Sequence, residues 1–422
     1  VMVFLKLAIK SLQNRAFATT LTVISIALSV ALLLTVERAK RAAEEGFTQT
    51  ISKTDLIVGA RSGPLQLILY TVFNMGNATH NISYETYEKV RMNPAIDWTI
   101  PYSLGDGHRG FRVVGTNQDF FKYYHYRGDR KVTLAEGQEF NDLWDVVVGA
   151  EVARKLGYKL GDRVVVTHGV TKGEGILQHD DRPFKISGIL EATGTPLDRA
   201  VYMSLQGMEA LHIDWQDGSA PSPDKIVPHN KLSKETLPVQ TITAFFVGAK
   251  SRIETLKLQR EINTYKEEPL LAIIPGATLS ELWNGLSYVE GVLRMISWMV
   301  VAVGFMAMLI ALTTTLNERR REMAILRAVG AKSTQIVGLL VFESALLTAV
   351  GVLSGVVVSV GLVAALKPWI ETEFGLYLVG PWFTRSELLY LAITLVGGTV
   401  IGLIPALRAQ KLALKDGLSV RT

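Results

Sequence analysis

Seven histidines, His80, His108, His125, His168, His179, His212 and His229, are the first residues that could do chemistry. A local metal-ligand set on one helix or strand brings its ligands in at i, i+4 or i, i+2. No pair of these histidines has that spacing. The densest grouping, His179-Asp180-Asp181, is a weak candidate, and a structural or surface role is the expectation for all seven. The chain has no Cys, which excludes thiolate-bound zinc, iron–sulfur clusters and thiol nucleophiles. Neither a catalytic triad nor a carboxylate pair emerges. A phosphate-cradling loop reads Gly-x4-Gly-Lys-Ser/Thr; Gly330-Ala-Lys-Ser333 lacks the Gly next to Lys. The chain is therefore expected not to be an enzyme by itself and to bind no cofactor.

What remains is charge and apolar surface in unusual places. Glu343 sits inside an otherwise apolar run, where a charge costs roughly 2.5–3.5 kcal/mol on insertion scales. It reads either as a polar contact facing other helices or as a charge near the headgroup boundary. Gly351 and Gly355, four apart in the same run, suit close helix packing. Glu318, Arg319, Arg320, Arg321, Glu322 and Arg327 alternate with Met323, Ile325, Leu326 and Val329. Such a short helix can form charge-assisted pairs with a partner groove, or simply face lipid headgroups. The stretch 65–75, with Leu65, Leu67, Ile68, Leu69, Tyr70 and Phe73, is apolar enough to bind a partner or substrate, or to be buried between subdomains or protomers. Gly59-Ala-Arg-Ser-Gly-Pro64 reads as a turn opening the next helix, with an anion-binding nest around Arg61 as the alternative.

The elements that position these residues begin with the membrane. The chain has 422 residues, 48% hydrophobic and 20% charged, and a mean hydropathy of +0.25. That balance fits several membrane spans beside a sizeable water-exposed part. Spans of ~20 apolar residues fall at 16–36, 295–317, 334–366 and 388–407, giving four transmembrane helices. The segments before the first span, between the second and third, and after the fourth hold twelve basic residues against three acids. By the positive-inside rule those segments are cytoplasmic. This places both termini inside, with 37–290 as a large extracytoplasmic domain and 367–387 as a short loop on the same side. Residues 1–15 read as an amphipathic helix on the cytoplasmic face, 318–333 as a cytoplasmic helix and 408–422 as a cytoplasmic tail. The first span continues into Glu37-Arg38-Ala39-Lys40-Arg41 without a break, which reads as an uncleaved anchor projecting from the membrane.

The extracytoplasmic domain reads as mixed α/β. Residues 55–59 form a buried strand, 83–93 a helix with Ser83 as its N-cap, and 96–103 and 110–115 strands. The same grammar returns at 241–247 (strand), 251–265 (helix), 270–274 (strand) and from 278 onward (a helix running into the second span). Two β-α-β units at the ends of one domain suggest a split ferredoxin-like module. Its halves are 37–116 and 237–290, and 117–236 is an inserted subdomain. Within the insertion, 145–166 reads as strand, helix, turn and strand, and 184–190 as a further strand. Residues 216–238, with four prolines, read as a loop.

The segment Asn317-Glu-Arg-Arg-Arg-Glu-Met-Ala-Ile-Leu-Arg-Ala-Val-Gly-Ala331 resembles the signature of the MacB/FtsX-type ABC permease superfamily. That group contains macrolide and peptide exporters, lipoprotein-releasing permeases and cell-division permeases. Ile404-Pro-Ala-Leu-Arg-Ala-Gln-Lys-Leu-Ala-Leu-Lys-Asp-Gly-Leu418 is similar to its closing motif. Val114-Gly-Thr-Asn-Gln-Asp-Phe-Phe121, the 145–166 stretch and Ser187-Gly-Ile-Leu190 resemble its periplasmic core domain. The resemblance covers essentially the whole chain. It implies a bacterial inner-membrane permease with a MacB-like stalk, working as a homodimer or pseudodimer on two ATPase subunits that bind ATP and Mg. With no phosphate loop here, the ATPase is expected on a separate polypeptide, and 318–327 becomes the ATPase-coupling segment of a type VII system. The implied function is mechanotransmission for export or extraction from the periplasmic side. Alternatives are lipoprotein or lipid release, switching of a cell-wall hydrolase or sensor, and, last, metal-linked transport. A periplasmic adaptor, lipoprotein or hydrolase and membrane lipid are the other implied partners, and no nucleic acid is expected.

Overall fold

A computed structural model describes residues 10, 15–168, 182–213, 232–234, 237–318, 323, 325, 327–374 and 383–416. The amphipathic helix expected at 1–15 and most of the 216–238 loop lie outside them. The chain divides into two compact units. The first holds residues 1–42, 286–369 and 378–422; the second holds 43–285 and 370–377.

In chain order the second unit begins within the end of α1 (Ala16–Thr48) and continues with β1 (Leu56–Ala60), α2 (Pro64–Thr71), α3 (Tyr84–Arg91) and β2 (Ile96–His108). There follow β3 (Phe111–Thr116), β4 (Leu134–Gly137), β5 (Asp145–Val148), α4 (Ala150–Leu156), β6 (Phe184–Leu190), β7 (Ala200–Ser204) and α5 (Leu205–His212). The unit closes with β8 (Ala244–Ala249), α6 (Arg252–Asn263), β9 (Leu270–Ile273) and the start of α7 (Pro275–Glu318).

These strands form one continuous sheet, ordered β9-β1-β8-β2-β3-β7-β5-β6-β4. Its first four strands are the antiparallel sheet of a ferredoxin-like β-α-β-β-α-β module, split as the sequence suggested. The local chemistry explains the helices. Ser83 Oγ accepts from Thr86 N at 3.2 Å and Ser251 Oγ from Glu254 N at 3.4 Å, capping α3 and α6. Leu56 and Val58 of β1 pack with Tyr87, Val90, Leu258 and Ile262 of those helices. Ile57, on the other face, packs with Leu67, Ile68 and Tyr70 of α2. A strand buried on both faces must read as a continuous apolar run, and Leu-Ile-Val-Gly-Ala does.

The structure corrects one grouping. Phe111–Thr116, placed by sequence in the first ferredoxin half, pairs with the far end of β2 and, in parallel, with β7 of the insertion. The strand β2 is shared instead. Its register with β8 runs from Ile96 to Tyr102 and its register with β3 from Ser103 to His108. The two subdomains therefore meet inside a strand and not at a loop.

The first unit is a helix bundle. It contains most of α1, of α7 and of α8 (Ser333–Phe374), with α9 (Arg385–Ile401) and α10 (Leu403–Asp416). Among the described residues, four stretches are long and apolar enough to cross a membrane: Ala16–Thr48, Tyr288–Thr314, Ser333–Ile370 and Arg385–Gln410. At 1.5 Å per residue α1 and α7 extend about 50 and 66 Å, well beyond a hydrocarbon core of ~30 Å. Two boundaries shift: the third helix runs through Pro368 to Phe374, and the fourth span is two helices that meet at Gly402.

Candidate functional site

The segment joining α7 to α8 carries the charged motif. Arg319, Arg320, Arg321, Glu322 and Leu326 lie outside the described residues, as does the side chain of Glu318. Met323 is buried with Ile336 and Leu340 of α8 and Ala406 and Ala409 of α10. Ile325 and Val329 are 56% and 84% exposed. Val329 N donates to Ile325 O at 3.1 Å, a helical turn that puts both side chains on one face. Gly330 ends the turn at φ 99°, a left-handed conformation that glycine adopts without a Cβ penalty. Arg327 Nη2 donates to Ser333 Oγ at 3.3 Å, tying the turn to the start of α8. Met323 is thus an anchor into the bundle, while Ile325 and Val329 stay exposed.

Within the bundle, α8 meets its neighbours through small residues. A Cβ on Gly351 would lie 2.7 Å from Ile26 Cγ2, and one on Gly355 2.7 Å from Val30 Cβ and Ala27 O, so both glycines lie against α1. On the side facing α9 and α10, a Cβ on Gly398 would lie 2.3 Å from Thr348 Oγ1. Thr348 and Ser344 satisfy their hydroxyls on their own helix, at Ser344 O (2.8 Å) and Val341 O (2.8 Å). Glu343 is buried in α8 beside this seam.

A second buried charge was not singled out by sequence. Thr384 and Glu387 form a reciprocal cap on α9: Glu387 N donates to Thr384 Oγ1 at 3.3 Å, and Thr384 N to Glu387 Oε2 at 3.1 Å. The other carboxylate oxygen, Oε1, lies 3.4 Å from Arg38 Nε and 3.5 Å from Arg41 Nη1. The Glu387 side chain is 0% exposed and that of Arg38 8%. Arg38 also lies over the Phe383 ring at 5.8 Å, and Lys40 pairs with Glu290 at 2.9 Å. The readable signal was Thr384-x-x-Glu387 before an apolar run, a capping-box pattern. Its arginine partners sit on α1, 349 residues away in the case of Arg38, and nothing local announces them.

The apolar stretch 65–75 resolves into core and cleft. Leu67, Ile68 and Tyr70 are fully buried against β1, so they offer no surface. A Cβ on Gly59 would lie 2.6 Å from Leu67 Cδ1, which is why β1 carries glycine beneath α2. Burial pushes the Tyr70 phenol up to about 12. Leu65 is exposed, Leu69 is half-buried, and Phe73 lines a cleft. Pro64 occupies the first turn of α2 and Arg61 Nη2 donates to Asn263 O at 2.7 Å, a structural use of the Gly59–Pro64 turn.

Two of the described histidines, His108 and His212, are held by local contacts. His108 bonds Val165 O at 2.6 Å and Tyr158 Oη at 2.8 Å, and burial lowers its pKa. His212 Nε2 lies 3.2 Å from Asp106 Oδ2. Burial alone would lower the His212 pKa, but the bond to Asp106 and its charge outweigh this and raise it. His179, Asp180 and Asp181 lie outside the described residues.

Comparison with known proteins adds the family. Residues 18–264, more than half of the chain, match the MacB-like periplasmic core domain, and 294–414 match the FtsX-like permease C-terminal region. The pyoverdine export ATP-binding/permease protein PvdT of Pseudomonas savastanoi is 29% identical over 66% of this chain and 39% of its own length. The macrolide export ATP-binding/permease protein MacB of Wolinella succinogenes is 22% identical over 97% of this chain and 59% of its own length. The chain therefore spans only about two-fifths to three-fifths of these relatives. The periplasmic region of MacB from Actinobacillus actinomycetemcomitans aligns over 56% of this chain and 95% of its own, at 10% identity and a TM-score of 0.34. Four apolar helices beside a periplasmic-type domain fit an inner-membrane protein. With a MacB-like core domain and an FtsX-like C-terminal region in one sequence, the chain belongs to the MacB/FtsX family of ABC transporter permeases.

Proposed function

We propose that this chain couples ATP hydrolysis by an ABC ATPase to movement of its extracytoplasmic domain, and so exports or extracts a substrate from the periplasmic side. In this reading both termini are cytoplasmic and two copies act together. The observation that carries the proposal is the turn between α7 and α8. Ile325 and Val329 present an exposed apolar pair on one face, while Met323 locks the same turn into α8 and α10. An exposed apolar pair on a rigidly anchored turn suits a partner groove, and force applied there reaches two helices at once. The arginines at 319–321 supply charge for the same contact. The few polar residues inside the spans argue against a hydrophilic path between the helices, which favours mechanical work on the extracytoplasmic side.

The test is recovery of the tagged chain from mild detergent after gentle crosslinking, with mass spectrometry of its companions. An ABC ATPase is expected with the unaltered chain. Ile325→Asp with Val329→Asp should reduce its recovery by about tenfold, a loss of ~1.4 kcal/mol of binding. Leu353→Ala, on an exposed face of α8, should leave recovery unchanged. Absence of an ATPase under all conditions, or equal recovery with the double variant, refutes the coupling assignment. An adaptor, a lipoprotein or a hydrolase among the companions selects between export, release and regulation.

A further inference from the structure

The second unit contains a cleft of about 510 Å³ that no sequence motif marks. It is lined by the end of α1, the turn after α2, the β2–β3 turn, the 194–199 loop and the start of α7. The volume falls within the ~300–1,000 Å³ typical of small-molecule sites.

Its lining divides into two chemistries. Phe47 and Phe73 stack with ring centroids 4.5 Å apart, and Trp283 extends the aromatic surface 6.0 Å from Phe47. Phe47 and Phe73 pack on the core with one side, yet with Trp283 they remain only half-buried and line the cleft beside the exposed Met75. The charged residues of the lining are Arg112 and Arg199, and no acidic residue lines the cleft. The Arg112 guanidinium is held by neutral oxygens, donating to Gly76 O and Asn77 Oδ1. Arg199 Nε is 3.5 Å from Glu151 Oε1, but Lys155 already lies 3.0 Å from the same oxygen. The neighbouring Asp198 carboxylate does not line the cleft and is occupied by the Thr193 and Gly194 amides, so the charge presented to the cleft itself is that of the two arginines. The turn is also held in shape: Asn74 adopts φ 56° and accepts a hydrogen bond from Tyr102 Oη at 2.6 Å. An asparagine tolerates that left-handed conformation better than other non-glycine residues, and its fixation sets Phe73 and Met75 on either side.

We propose that this cleft binds an anionic amphiphile, a molecule joining an apolar ring or chain to a carboxylate, sulfonate or phosphate group. Stacked aromatic rings take the apolar body at low conformational cost. Arginines take the acidic group, bidentately where geometry allows. Binding here requires neither ATP nor a second chain, so it stands or falls separately from the coupling proposal.

The test uses the full chain in nanodiscs of zwitterionic lipid and a photoreactive anionic amphiphile, benzophenone-4-carboxylate, with benzophenone carrying a trimethylammonium group as the charge control. After irradiation, labelled peptides are mapped by mass spectrometry. The expected result is saturable labelling, concentrated at 43–47, 73–75, 110–112, 194–199 and 283. The cationic analogue should label these positions at least about tenfold less, a ~1.4 kcal/mol preference. Ala43→Trp, which fills the cleft from α1, should remove the labelling. Arg112→Gln with Arg199→Gln should narrow the preference between the two probes. Repeating the measurement with anionic lipid in the disc distinguishes the ligand's source. Competition by the lipid identifies a lipid ligand and its absence a soluble one, and either supports the site. Unsaturable labelling, labelling centred elsewhere, or equal labelling by the two probes in the unaltered chain overturns the proposal without reliance on any variant.

Discussion

Replacing Glu387 by Met tests whether the buried charges hold the bundle together. The carboxylate is fully buried and receives Arg38, Arg41 and the Thr384 amide. Breaking a buried pair by removing one partner costs about 3–5 kcal/mol, because the remaining charge stays desolvated. Loss of half the helix cap adds about 1 kcal/mol. Arg41→Met should cost about 1 kcal/mol or less, since its side chain is 22% exposed and its contact with Glu387 is 3.5 Å long. Arg38→Met should fall between, and the Arg38→Met/Glu387→Met double variant should recover much of the loss, because an apolar pair of similar volume is tolerated where an ion pair was. Equilibrium unfolding of the full chain in mixed micelles provides the four stabilities of the cycle. A coupling of at least about 2 kcal/mol is expected between the two positions. Additivity within ~0.5 kcal/mol, or Arg41→Met as damaging as Glu387→Met, refutes the argument.

Three further outcomes follow from particular contacts. Gly355→Leu should destabilise the bundle by about 1–3 kcal/mol through overpacking against α1, whereas Gly338→Ala, with nothing within 4 Å of the new Cβ, should be neutral; thermal unfolding in detergent reads both. The raised pKa of His212 means that proton uptake on folding favours the native extracytoplasmic unit below pH ~6.5 and that this contribution disappears as pH rises through the folded-state pKa. Asp106→Asn should flatten that part of the profile of melting temperature against pH, and an unchanged profile would show that the pair is not the source. Met323→Ala should cost about 2–4 kcal/mol by opening a cavity among Ile336, Leu340, Ala406 and Ala409, while Ile325→Ala, exposed, should leave the melting temperature within about a degree.

The sequence was most legible where local chemistry and long-range packing agree. Ser83 and Ser251 announce their helices because a cap is a contact within one turn. The 56–60 strand announces itself because burial on both faces demands an unbroken apolar run. Phe111–Thr116 was misgrouped because its alternation states that it is a strand but not which strand lies beside it; β7, its parallel partner, begins 84 residues after its end. The apolar stretch 65–75 left two readings open for the same reason. The tertiary packing, with Gly59 beneath Leu67 and Tyr70, decides that Leu67, Ile68, Tyr70 and Val72 are core. The Glu387 cluster could be half read, as a cap, since its arginines are contributed by the opposite end of the chain. The charged segment at 318–327 was noticed from composition, yet the inward turn of Met323 depends on α10, which sequence places no nearer than any other helix.

The packing of α8 gives the coupling proposal its physical form. Along this helix, Ser344 and Thr348 face Gly402 and Gly398, and Gly351 and Gly355 face α1. These seams contain small side chains whose hydroxyls are satisfied within their own helix. Across helices the Thr348 hydroxyl reaches only Met308 Sδ of α7, at 3.6 Å, whereas Ser29 donates to Val300 O at 3.0 Å and Ser359 of α8 pairs with Thr35 of α1 at 3.3 Å. The α8 seams resist compression, because a Cβ has no room, and their specific resistance to sliding along the helix axis comes from neutral hydroxyl contacts alone. The α1–α7 contact is tied by one hydrogen bond, the α1–α8 contact by the Thr35–Ser359 hydroxyl pair at 3.3 Å, and the α1–α9 contact by the buried Glu387 charges. A push at Ile325 and Val329, passed by Met323 to α8 and α10, then moves α8 against α1 at the cost of the one neutral Thr35–Ser359 bond, about 0.5–1.5 kcal/mol, less than separating the Glu387 charges from α1. Disulfide trapping between Val30→Cys and Val356→Cys, both in the packed cluster that joins these helices, should then depend on the ATPase cycle. Trapping between Leu34→Cys and Leu391→Cys, across the α1–α9 contact held by the Glu387 charges, should not. Equal dependence at both pairs would show that α8 does not slide on its own.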